Sequence, residues 1–222
     1  MTSNDYAVHL DCAACKPDDA ENSRIIDSWV GALRNIHWPV SLTKQDNQNY
    51  NANLQRINCG PLSLIMYCSD PIIAKREGKV GSAGSESHFT FNYINKGRLS
   101  VDHNNQITDL SKGDFVIADN SLPSTIEFLS KAQTFSIRIP AKLLGIYIDN
   151  PRLLCNQIPS GGTLYRGVLK ELFFCLWRQC EDGATEESQK AVINTFLSFL
   201  AISFETGNKR QLSHAHKSEF LL

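Results

Sequence analysis

No apolar run in this chain of 222 residues approaches the roughly 18 side chains that a membrane-spanning helix requires. Nor is there an excess of either charge. The 22 Lys and Arg stand against 23 Asp and Glu, a formal net charge of −1, and the basic residues are scattered rather than striped along one face. That excludes the electrostatic footprint of a nucleic-acid-binding surface within these residues. A secretory signal is also missing: the N-terminus, MTSNDYAVHLDCAAC, has an acidic residue where basic ones would stand. We expect a cytoplasmic protein. The seven cysteines are odd in number and irregular in spacing, and four of them (Cys59, Cys68, Cys155, Cys175) sit in apolar surroundings. This pattern suits buried thiols in a reducing compartment better than a disulfide framework. At this length about 70% of the unfolded surface can be buried, so no staples are needed.

Signatures of covalent and phosphate chemistry are absent as well. There is no GxSxG, and no Cys lies in a reactive motif. Gly161-Gly162 lacks both the strand before it and the Lys after it that a phosphate loop needs. Cys12-Ala-Ala-Cys15, with His9 nearby, supplies half of a zinc site or a redox pair, but the other half is missing. Residues 1–21, whose large apolar side chains are few beyond Tyr6, Val8 and Leu10, therefore read as a flexible tail.

What the chain does have is alternation. Between His88 and Ile139 apolar residues fall on every second position: Phe89, Phe91 and Tyr93, then Leu99 and Val101, then Phe135, Ile137 and Ile139. This is strand spacing. The polar partners His88, Thr90, Asn92, Arg98, Ser100, Asp102, Ser136 and Arg138 are expected to face water. Turn signals at Asn95-Lys96-Gly97, Asn104-Asn105, Lys112-Gly113-Asp114, Asp119 to Pro123 and Ser130 to Gln133 divide the stretch into six strands, 88–95, 98–103, 106–110, 114–118, 124–129 and 133–139. Leu54 to Asn58 and Leu62 to Cys68 add two more. Short antiparallel strands without helices between them predict a sandwich, jelly roll or barrel.

Helical spacing brackets this roll. Ile25, Ile26, Trp29, Val30, Leu33 and Ile36 predict a helix over 23–37, ended by Trp38-Pro39. Residues 41–53 read as a connector and 79–87 as a mobile loop. A short helix is expected over 141–147, then two long ones, 164 to about 180 and about 186 to 204. Their apolar stripes are wider than one partner requires, which predicts a homodimer through Leu172, Leu176, Phe196 and Leu200. We place the β-roll and its N-terminal helix at 22–147 and the helical dimerisation region at 148–206. Residues 207–222, polar and basic, read as the start of a linker to something missing.

A metal-dependent roll of the cupin kind needs two His one residue apart, a nearby carboxylate and a later His. Here Phe89 and Thr90 follow His88, the later strands carry no His, His103 sits beside a turn, and His214 and His216 fall in the tail. No metal and no cofactor is expected.

The 23–37 helix with Trp29 and Pro39, Asn95-Lys96-Gly97, the run from Leu110 through Gly113-Asp114 to Pro123, and Ser136-Ile-Arg-Ile-Pro140-Ala-Lys-Leu-Leu144 together resemble the N-terminal sensor domain of AraC-type transcription regulators, in the branch that includes activators of aromatic-amine catabolism. The resemblance covers most of 22–205. It implies a mainly β fold, a double-stranded β-helix of the cupin-like or jelly-roll type, that binds a small effector, followed by helices that dimerise. DNA would be bound only by a helix-turn-helix domain that is not in this chain. We expect the inward set to be Phe89, Phe91, Tyr93, Leu99, Val101, Phe115, Ile117, Leu64 and Met66. Effector contacts are expected from Tyr93, Asn95, Phe91, Phe89 and Met66, with Arg56 and His88 as charge partners at the mouth. The alternatives are a metal-independent isomerase or lyase on the same roll, or a domain that only dimerises.

Overall fold

The computed structural model describes residues 6–10, 26–33, 40–44, 50–77, 87–159 and 162–219. In chain order the elements are β1 (Tyr6–Leu10), α1 (26–33), β2 (Ser41–Lys44), β3 (Ala52–Cys59), β4 (Leu62–Ser69), β5 (Ile72–Arg76), β6 (His88–Lys96), β7 (Arg98–His103), β8 (Gln106–Ser111), β9 (Phe115–Asp119), β10 (Ser124–Phe128) and β11 (Ala132–Pro140). Then come α2 (Ala141–Leu144), a 3-10 turn (Pro151–Leu154), α3 (Gly162–Glu181) and α4 (Glu186–Glu219). The eight strands expected from alternation are all present. Their turns form as the residues dictate: Asn104 and Asn105 both take positive φ, 54° and 60°, which closes the β7–β8 hairpin with the twist its strands need. Gly97 has φ +85°, and a Cβ there would lie 2.5 Å from the Lys131 carbonyl oxygen.

Two antiparallel sheets face each other, ordered β1-β3-β4-β11-β6-β9 and β2-β5-β10-β7-β8. The fold is the expected double-stranded β-helix. Three short strands, β1, β2 and β5, were not expected. β1 pairs with β3, Tyr6 opposite Arg56 and Leu10 opposite Ala52, within the segment read as a tail. β2 occupies the supposed connector and pairs with β5. β1 and β2 are edge strands, held by backbone pairing on one side, so neither needs a long alternating run. Helix α4 continues past the expected end at Phe204. Cys12 and Cys15, and all of the expected 79–87 loop except Ser87, lie outside the described residues.

The molecule has three layers: the second sheet, the first sheet, and helices α2 to α4. Two apolar cores result. One lies between the sheets and gathers Trp29, Leu54, Ile65, Ile72, Ile94, Leu99, Val101, Val116 and Phe128. The other lies between the first sheet and the helices and gathers Ile57, Leu64, Phe89, Phe91, Tyr93, Phe115, Ile117, Ile137, Phe173, Leu176, Phe196 and Leu200.

This arrangement corrects three expectations. Phe89, Phe91, Tyr93, Phe115, Ile117 and Leu64, with Met66 packed against them, face the helices and not the barrel; only Leu99 and Val101 of the supposed inward set point inward. The reason is that helices cover the outer side of the first sheet, so its aromatic side has a dry partner there. Leu176, Phe196 and Leu200 are fully buried against that sheet, which takes them out of any surface a second chain could reach, and Leu172 is half-buried. The cysteines are not all free: Cys59 at the end of β3 and Cys180 in the last turn of α3 form a disulfide, their Cα atoms 5.6 Å apart, tying the helix layer to the sheet.

Candidate functional site in the barrel

Alternation puts the other side of β6, Thr90 and Asn92, between the sheets. With Ser69 and Tyr67 on β4, Ala118 on β9, Ala74 and Arg76 on β5, and Ile126 and Phe128 on β10, they line a cavity of about 100 Å3. Trp29 and Leu33 of α1, and Val40 and Leu42 around β2, cover it. Its volume approaches that of the roughly 150 Å3 apolar cavities that take benzene.

Polar groups in this cavity are tied to one another. Asn92 Oδ1 accepts from Ser136 Oγ at 2.7 Å, and Thr90 Oγ1 accepts from Asn120 Nδ2 at 2.7 Å. Tyr50 and Ser69 share a hydrogen bond of 2.9 Å. Arg76 donates to Asn120 Oδ1 (2.9 Å) and to the Leu122 and Asp119 carbonyls (3.2 and 3.3 Å). Burial draws its guanidinium down to about 10, a little offset by Asp119, so it is still charged at neutral pH. The Asp119 carboxyl is occupied elsewhere. It accepts from the Ser121 amide and hydroxyl and from Arg152 Nε at 2.7 Å; burial pushes its pKa up, but these partners outweigh burial and hold it below the ordinary value. An apolar wall with a few fixed polar groups is the composition of a small-molecule site.

The expected contact residues divide into two groups, and neither lines this cavity. Phe89, Phe91, Tyr93 and Met66 lie in the helix-facing core. Tyr93 stacks on Phe115 at 4.6 Å and meets Phe174 edge-on at 5.9 Å, and burial raises its hydroxyl pKa. Asn95, on the same side at the strand end, donates to Gln133 Oε1 at 2.6 Å. Arg56 and His88 do meet, in a separate polar pocket of about 160 Å3 that includes Ser63 and Arg138. There Arg56 Nε donates to Ser63 Oγ at 2.7 Å, and Arg138 Nη2 lies 3.2 Å from His88 Nδ1.

Sequence reasoning missed Arg76, Asn92, Asn120 and Trp29 as site residues. A signal for Arg76 exists: Ile72, Ala74 and Arg76 alternate, so a cation shares the apolar side of a short run. His103, read as a turn residue, is 0% exposed. Among the described residues no group of three or more His, Cys, Asp or Glu is placed to hold a metal, and no helix is long and apolar enough to cross a membrane.

No curated protein matches the chain by sequence. The crystal structure of the AraC-like transcriptional activator CuxR superposes with a TM-score of 0.72 at 14% identity, over 90% of this chain and 70% of that one. The ethanolamine utilization protein EutQ of Salmonella typhimurium matches 41% of this chain and 71% of its own at 10% identity, with a TM-score of 0.34. At such identities the CuxR likeness speaks for the fold. The family model of the AraC-binding-like domain matches residues 29–204, most of the chain and nearly all of the elements that build the barrel and its helical cover, and the chain belongs to that family.

Proposed function

We propose that this chain is the sensing part of an AraC-type transcription regulator, and that the cavity between the sheets, not the aromatic side of β6, receives its small effector. The observation that carries this reading is the cavity itself: about 100 Å3 enclosed by Trp29, Ile126 and Phe128, with polar groups at Arg76, Asn92 and Asn120. None of the described residues lining it is an Asp, Glu, His or Cys, so it offers ligand contacts rather than an acid and base pair. A thermal-shift screen of small aromatic metabolites tests it. A ligand at a hundred times its dissociation constant adds about 2.7 kcal/mol, several degrees for a domain of this size. Ala118→Leu, which fills the cavity, abolishes the shift; a shift that survives it contradicts the reading.

The same reading makes the chain a homodimer, with control of a helix-turn-helix domain as its output. The surface left for a second copy is the outer side of α3, where Leu164 is 75% exposed and borders a groove with Val168, Leu172 and Cys175. Light scattering at micromolar concentration should give twice 24.8 kDa. Leu172→Glu should yield a folded monomer, whereas Phe196→Glu should unfold the chain.

A further inference from the structure

The polar end of the barrel cavity holds a positive charge that no carboxylate contacts directly; Asp119 offsets it only through space. Arg76 follows Ile72 and Ala74 on the inward side of β5, and its three acceptors, Asn120 Oδ1 and the carbonyls of Asp119 and Leu122, are all neutral. It forms no salt bridge among the described residues, and the Asp119 carboxylate pairs with Arg152 instead. A guanidinium has five N–H donors, so one on each terminal nitrogen remains. A buried cation is costly unless an anion meets it.

The strand register adds a second, independent observation. Arg76 is directly opposite Ser124, and Ser124 is directly opposite His103, so the three side chains form one row across β5, β10 and β7. His103 Nε2 lies 2.9 Å from the Asp119 amide nitrogen and 3.0 Å from the Asp119 carbonyl oxygen, so Asp119 holds this nitrogen in either tautomer and only Nδ1 remains. That Nδ1 is buried and has no partner. The residues that line the cavity include the Arg76 donors and no carboxylate, while the wall from Trp29 and Leu33 to Ile126 and Phe128 is apolar.

We propose that the cavity is built for a small aromatic carboxylate, with its ring between Trp29 and Phe128 and its carboxylate on the Arg76 guanidinium. This rests on the reading that the barrel cavity is the effector site, and names the ligand class of that site. A carboxylate suits Arg76 because the planar fork meets both of its oxygens, which a neutral amide or an alcohol cannot match. A protonated amine would place two cations together.

Isothermal titration of the whole chain with benzoate, benzamide and benzylamine tests the proposal, since the three share a ring and differ in charge. Benzoate should bind at least tenfold more tightly than benzamide, and benzylamine not at all. Arg76→Met should bring benzoate down to the benzamide level, Arg76→Lys should keep part of the preference, and Arg56→Ala in the separate polar pocket should change nothing. Should Arg76→Met fail to fold, the unmutated benzoate to benzamide ratio and the Lys variant decide. Equal affinity for benzoate and benzamide, or a preference that survives Arg76→Met, overturns the carboxylate assignment while leaving the cavity as the effector site. Loss of benzoate binding in Arg56→Ala also overturns it, by moving the anion to the other pocket. Failure of all three compounds refutes the proposal, and the wider screen with Ala118→Leu then judges the effector reading separately.

Discussion

Strands β6 and β7 follow one another in the chain with the same alternation of apolar and polar residues, yet they bury opposite sides. On β7, Leu99 and Val101 point between the sheets while Arg98 and Asp102 are exposed to water. On β6, Phe89, Phe91 and Tyr93 point away from the barrel into Phe115, Phe173 and Phe196, and Thr90 and Asn92 point in. The difference lies outside the strands. The second sheet has solvent on its outer side; the first is a middle layer, with helices beyond it. Alternation thus marks the drier neighbour of a strand, and in a three-layer domain the drier neighbour need not be the barrel. The inward side of β6, which has fewer aromatics, keeps the cavity.

This contrast can be broken most severely at Phe91. It stacks on Phe115 at 5.1 Å and meets Phe196 edge-on at 5.5 Å, so Phe91→Ala should cost about 3 to 5 kcal/mol in urea unfolding. A loss under about 1 kcal/mol would mean the helix layer is not the main partner of that side. Next in size is a pH effect on the inward side. Burial lowers the His103 pKa, and Arg76 lowers it further, against the backbone contacts and the Asp119 charge that raise it. The unfolded chain therefore binds a proton that the native state refuses, and stability falls as pH drops from about 6.5 toward the folded pKa. Thermal melts from pH 7.5 to 5 should show this fall, and His103→Gln, which keeps an acceptor for the Asp119 amide, should flatten it. Smallest of all is Tyr93→Phe. The Tyr93 ring packs on the helix side, so removing its hydroxyl should change stability by less than about 0.5 kcal/mol and leave effector affinity unchanged. A tenfold weaker effector in that variant would return the site to the aromatic side of β6.

The strands were legible because their residues state their own period, and turns such as Asn104-Asn105 and Gly97 state their own geometry. Sidedness was not legible, because a period of two is indifferent to which neighbour is dry. β1 and β2 were hidden by shortness, and the Cys59–Cys180 pair by a separation of 121 residues that no local pattern spans. Arg56 and His88, expected as charge partners at the mouth of the effector site, line a different pocket from the one that Arg76 and Asn120 shape. Arg76 was passed over because a charged residue ending a short run reads as surface. The β5–β10–β7 register places it inward beside Ser124 and His103.

The central claim is that the room for a ligand lies between the sheets and that the aromatic side of β6 is sealed core. Isoleucine methyl NMR under xenon pressure tests it without knowledge of the effector, because xenon enters dry apolar cavities. Ile72 and Ile126 line the cavity, whereas Ile137, Ile139 and Ile193 belong to the helix-facing core. The account predicts that xenon shifts the methyl signals of Ile72 and Ile126 and leaves the other three in place. Shifts at Ile137, Ile139 and Ile193, with Ile72 and Ile126 unmoved, would contradict it.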